Sequence, residues 1–164
     1  MLYIDKIKAS DLPVSVEVDP YVPIAVRTFS APIGAVFYRV GNFDTSLVEL
    51  PIDPISGAVR GIKVVCLDRV GTAIDETALS EVHGLPITAK ESIPQKRQDD
   101  QRDVAATLIG DRLLIDWSGG QKLDTKAVHG RLSFFIGDGS LLAAAVESLT
   151  SEERQSLLPH MPST

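Results

Sequence analysis

The side chains with the widest chemical reach in this chain are one cysteine, three histidines and three adjacent pairs of carboxylates. Cys66 lies between Val65 and Leu67 in an apolar run. A nucleophilic thiol needs a basic or electropositive neighbour to hold it as thiolate, and none stands nearby in sequence. Cys66 therefore reads as a buried structural thiol. His83, His129 and His160 are widely spaced and form no metal-ligand pattern with one another or with the lone thiol. No nucleophile elbow accompanies them, so a Ser/His/Asp assembly has no local support. Gly137-Asp138-Gly139 lacks the further glycine and helix of a dinucleotide turn, and no Lys-Ser/Thr follows as in a P-loop. It reads as a hairpin turn. The acidic pairs are Asp75-Glu76, Asp99-Asp100 and Glu152-Glu153. Adjacency in sequence says little about acid–base catalysis, because glycosidase-type carboxylates come from distant positions. Asp75-Glu76 suits an interface, and Glu152-Glu153 suits the first turn of a helix. The expectation is a protein without cofactor, metal or catalytic centre.

Composition points the same way. The 164 residues are 44% hydrophobic and 23% charged, as in an ordinary globular chain with room for a core. The net charge is −6 and aromatics are only 5%, which disfavours direct nucleic-acid binding. The densest basic group, Lys96-Arg97, is followed almost at once by Asp99-Asp100. Net acidity suits a basic macromolecular partner, whose encounter it would speed, and it also serves solubility alone. A single cysteine rules out an intramolecular disulfide. Met1-Leu2-Tyr3-Ile4-Asp5-Lys6 has no signal-peptide pattern, and no stretch approaches the ~20 apolar residues of a membrane span. A cytoplasmic location with no membrane contact follows as the expectation.

The elements that must position any site are mostly strands. Ser46 to Leu67 is the clearest. Val48, Leu50 and Ile52 share one face, Ile62, Val64 and Cys66 share another, and Asp53-Pro54-Ile55-Ser56-Gly57 breaks the run. Period-two alternation around a Pro/Gly turn predicts a hairpin, with Gly57 in positive φ. Leu2 to Ala9, Val14 to Val18, Val22 to Phe29 and Ile33 to Val40 also read as strands, with a turn at Ser30-Ala31-Pro32. Pro23 suggests an edge position for the third of these. Ile74 to Val82 reads as a short helix or a loop. Leu85 to Ala89 is short and interrupted by Pro86. Lys90 to Asp103 has four basic residues, four acidic residues and no apolar face, and reads as an exposed loop. Arg112 to Trp117 is a strong strand.

A second hairpin runs from Val128 to Ser148. Its last arm, Leu141 to Ser148, has the alanine content of a helix, and strand is favoured by its likeness to the first hairpin. Both hairpins place an acid and a glycine between two apolar arms, which fits an internal repeat or two unrelated turns. Thr150-Ser151-Glu152-Glu153 is a capping box that predicts a helix from Ser151 to about Leu158, stopped by Pro159. The tail from His160 to Thr164 reads as frayed. The fold class predicted is mainly β (α+β), one domain over residues 1–164. Antiparallel hairpins would form a sandwich or open barrel, with a short C-terminal helix.

Ser46 to Val65, with its strand, Asp-Pro-x-x-Gly turn and second strand, resembles a segment of small immunity proteins from contact-dependent growth-inhibition and other polymorphic-toxin systems. Thr150-Ser151-Glu152-Glu153 after a hairpin resembles their C-terminal end. The resemblance implies no shared catalytic residues. It implies a stoichiometric inhibitor that binds and occludes one cognate toxin domain, often a nuclease, in a heterodimer in the cytoplasm. The contacts expected are acidic: Asp68, Asp75, Glu76 and Glu81, just past the first hairpin. The alternative is a small β-rich enzyme or ligand-binding protein with a pocket between sheets, lined by Tyr38, His83, Trp117 and His129.

Overall fold

The computed structural model describes residues 1–28 and 34–163. The predicted turn at Ser30-Ala31-Pro32, the flanking ends at Phe29 and Ile33, and the last tail residue lie outside them. The strands, in chain order, are β1 (Ile4–Lys8), β2 (Val14–Glu17), β3 (Ile24–Thr28), β4 (Val36–Gly41), β5 (Leu47–Ile52) and β6 (Gly61–Cys66). Then come β7 (Ser80–His83), β8 (Leu85–Thr88) and β9 (Arg97–Gln101). β10 (Ala105–Ile109), β11 (Arg112–Asp116), β12 (Thr125–His129), β13 (Leu132–Gly137) and β14 (Ser140–Val146) precede α1 (Ser151–Leu157).

Among the described residues these strands form two six-stranded sheets and one ribbon. Sheet 1 has the order β2-β3-β6-β5-β4-β9, and sheet 2 the order β10-β11-β14-β13-β12-β7. β1 and β8 form an antiparallel ribbon. Five strands of each sheet are antiparallel and joined in the same sequence. The sixth, β9 or β7, is parallel to its neighbour β4 or β12. The two hairpins that look alike in sequence, β5–β6 and β13–β14, occupy equivalent places in this shared order. The repeated architecture is therefore visible in the strand connections.

Alternation explains which faces close on each other. Val48, Leu50 and Ile52 of β5 and Ile62 and Val64 of β6 are buried. They join Leu113, Ile115, Phe134, Ala144 and Val146 of sheet 2 in one apolar interior. Burying such side chains is worth about 1.5–3 kcal/mol each before entropy is counted. The first hairpin turns where expected. Asp53 Oδ1 accepts the amide N–H groups of Ile55 (2.9 Å) and Ser56 (3.3 Å). Gly57 adopts φ +75°, and a Cβ there would lie 2.9 Å from the Thr88 carbonyl oxygen. The second hairpin turns through Asp138 (φ 49°) and Gly139 (φ 73°), the two positive values of a two-residue primed turn.

Leu141 to Ser148 forms strand β14 through Val146, and every residue of that strand is buried. Alanine suits it because both faces are covered. Ala144 lies in the main interior, while Ala143 and Ala145 pack with Leu114 and Phe135 on the other side of sheet 2. Thr150 caps α1 with both halves of the predicted capping box present.

Several expectations are corrected. Lys90 to Asp103 is not a loop throughout: it contains a 3-10 turn at Lys90–Ser92 and then β9. An edge strand with no apolar residue leaves no hydrophobic period to find. Its pairing is polar instead, with Arg39 Nε and Nη2 donating to the Asp99 carboxylate at 2.8 and 2.9 Å. Ile74 to Val82 follows the loop alternative rather than the helix as far as Leu79, and then ends in β7, whose four residues are all exposed. β3 is internal, because Pro23 precedes its first residue and removes no ladder bond; β2 is the edge. Cys66 is only partly buried, at the last residue of β6. Burial, with Asp68 nearby, pushes its thiol up, away from thiolate. The tail is not wholly loose, since Met161 packs against the interior.

Candidate functional site

Residues 67–83 form a strap across the outer face of sheet 2. Its start covers the β10 edge: the Gly71 N–H donates to the Ala106 carbonyl, and the Ala106 N–H to the Arg69 carbonyl, each at 2.9 Å. Its middle lies over the sheet, where Ile74 and Leu79 pack against Leu114, Phe135, Ala143 and Ala145. Its end becomes β7, the opposite edge, beginning where the Ser80 N–H donates to the Asp124 carbonyl at 2.9 Å. The sequence folds this way because the outer face of sheet 2 is itself apolar. Phe135 and its alanines would otherwise face water.

The four acidic residues expected at an interface all lie on this strap, with different surroundings. Asp68, at its root, is exposed and hydrogen-bonded by the Thr45 hydroxyl. Asp75 is exposed. Its Oδ1 accepts the Thr77 hydroxyl (2.7 Å) and the Thr77 N–H (3.0 Å), and these bonds hold its carboxyl below the usual aspartate range. Glu81 is exposed on β7, with one carboxylate oxygen 3.7 Å from His83 Nε2.

Glu76 points the other way. Its carboxylate pairs with Arg112 and, at 2.9 Å, with Lys126 Nζ. Arg112 Nε also lies 3.2 Å from Glu147, whose Oε1 accepts the Ser133 hydroxyl at 3.0 Å. Both cations sit over the Phe135 ring, at 5.5 and 5.8 Å from its centre. Burial pushes the Glu76 carboxyl up, but the bonds from Lys126 and Arg112 outweigh it and hold it below the ordinary glutamate range. Glu76 thus fastens the strap, while Asp68, Asp75 and Glu81 face outward.

Nothing in the sequence patterns above marks Arg112, Lys126 or Glu147. The available signal is that each is a charged residue in or bordering a largely apolar strand, two cations and one carboxylate that can neutralise one another only with a further acid. Such residues on an outer face need partners from a covering segment.

Of the four residues named for a pocket between sheets, only His83 and His129 come together, at a surface recess; Tyr38 and Trp117 lie elsewhere in the interior. Tyr38 is 1% exposed and its hydroxyl donates to Asp100, whose carboxylate also meets the Met1 amino group at 3.2 Å. Burial and Asp100 push the phenol up, so it stays protonated. Trp117 Nε1 donates to the Leu141 carbonyl at 3.0 Å. His129 is buried, with Nε2 2.7 Å from the Leu12 carbonyl, and is therefore the nitrogen that carries the proton. His83 lies at the surface beside it, around a recess of about 150 Å³. Among the described residues no group of three or more His, Cys, Asp or Glu side chains is arranged to hold a metal ion. No described helix is long and apolar enough to cross a membrane. No protein-family model matches this chain, and no curated protein matches it in sequence.

Proposed function

We propose that this protein is a binding module of the immunity type. It neutralises a cognate toxin domain by lying over that domain's active site. The observation that supports it is the strap: a backbone fixed at both ends and in the middle, with Asp75 and Glu81 turned outward, ending in a fully exposed edge strand. A nuclease active site that attracts phosphates is basic, and outward carboxylates on a rigid support complement it. Fixed carboxylates lose little entropy on binding, and opposite fields accelerate encounter. The open edge of β7 adds main-chain donors and acceptors that a partner strand can pair.

The test is binding of the toxin domain encoded beside this protein's reading frame, measured by surface plasmon resonance at low and high salt. The double variant Asp75→Lys, Glu81→Lys is expected to weaken binding about tenfold or more, chiefly through slower association. Unchanged affinity at low salt in that variant would remove the strap from the interface. Failure of the wild-type chain to bind the domain would remove the function.

A further inference from the structure

A groove at the β1–β8 ribbon, lined by no residue of the strap, has the opposite charge. Its floor is β8, at Ile87 and Thr88; one wall is β1 and the other is the Pro54-Ile55-Ser56 turn, and it encloses about 610 Å³. Lys6 and Lys8 stand on the β1 wall beside one carboxylate, Asp5, and Lys90 closes one end, so the lining carries two net positive charges. Three of the seven lysines of a chain carrying −6 overall thus gather around one groove. Among the described residues none of the three has a carboxylate partner within 4 Å, whereas Lys63 and Lys126 do. The opposite wall is apolar. Ile55 is 94% exposed at the tip of the turn, beside Pro54, with Ile93 behind.

We propose that this groove docks an extended, acidic segment of a partner polypeptide. Lys6 and Lys8 are two apart on one strand, so their side chains share a face about 7 Å apart. That spacing matches alternate residues of a second extended chain. A peptide alternating carboxylate and aliphatic side chains sets its charges against the lysine wall and its apolar groups against Ile55 and Ile93. A nucleic acid fits less well. The lining has no aromatic ring for a base to stack on, and the net acidic field opposes a longer polyanion. No strap residue lines this groove, so the proposal stands or falls independently of the toxin-binding one.

The probe is the acetylated, amidated pentapeptide Glu-Ile-Glu-Ile-Glu, titrated into the full-length ¹⁵N-labelled protein at low salt. Controls are Gln-Ile-Gln-Ile-Gln, Glu-Ser-Glu-Ser-Glu and hexathymidylate. The expected result is a contiguous set of amide shifts at Lys6, Lys8, Ile55, Ser56, Ile87 and Lys90. Both control peptides should bind at least several-fold more weakly. Lys6→Glu with Lys90→Glu, and separately Ile55→Ser, should each weaken the pentapeptide about tenfold while leaving the rest of the spectrum in place. All three side chains are exposed, so the variants retain the fold. The proposal is overturned if the pentapeptide produces no shifts or shifts elsewhere. It is equally overturned if hexathymidylate binds as tightly, or if the charge reversals leave affinity unchanged.

Discussion

Replacing Glu76 with Gln separates a fastening role from a contact role. The side chain keeps its shape but loses its charge, leaving Arg112 and Lys126 as neighbouring cations over Phe135. Removing one partner of a fully buried ion pair costs about 3–5 kcal/mol. Here Glu147 still serves both cations, at 3.2 and 3.9 Å, and the Glu76 side chain is 25% exposed. Those two facts reduce the expected loss to about 2 kcal/mol, since exposed pairs are worth much less. For a chain of this length that is a drop in Tm of roughly 4–8 °C. Two assays check it: urea denaturation, and limited proteolysis within residues 72–78, which should be cut faster once the strap loosens. A double-mutant cycle with Lys126→Met should return a coupling on the order of 1 kcal/mol. If Glu76→Gln matches the parent in stability and proteolysis yet loses affinity for the proposed partner, the ion cluster is not what holds the strap. Glu76 would then be a contact residue.

Two further outcomes follow from the hairpin turn and the helix cap. Burial pushes the Asp53 carboxyl up, but the Ile55 amide, Arg60 and Ser56 bring it down to about 2. The unfolded value is about 3.9, so the group favours folding above that pH, and this contribution disappears as pH falls from about 4 to about 2. After allowance for solvent, it amounts to about 1–2 kcal/mol. Asp53→Asn should lose that much at pH 7, and its urea midpoint should converge with the parent's near pH 2; curves parallel across the range would contradict this. Thr150→Ala removes the oxygen that accepts the Glu153 amide at 3.1 Å and should cost about 1 kcal/mol in urea denaturation.

The sequence displayed those strands whose faces differ in polarity. Val14 to Val18, Ser46 to Leu67 and Arg131 to Ile136 alternate or run apolar, and each became strand. β9 and β7 were hidden because edge strands held by polar pairs and main-chain bonds have no hydrophobic period. β14 was ambiguous because alanine suits both a helix and a strand pressed from two sides. Of the four acidic residues, the chain position was legible but not the direction of each side chain. Glu76 and Asp75 are adjacent, yet one turns under the strap and the other out of it. That difference depends on Arg112 and Lys126, 36 and 50 residues downstream of Glu76.

The way β7, β8 and β9 shuttle between the layers has a consequence for how the molecule comes apart. The stretch 80–101 visits sheet 2, then the ribbon, then sheet 1. A chain severed near Thr72 yields an N-terminal piece without β9, the partner of β4, and a C-terminal piece without β1, the partner of β8. The halves are interlocked like clasped hands. Fragments 1–72 and 73–164 should each be unstructured when made alone and recover the native spectrum on mixing, a property that would turn this small chain into a split reporter.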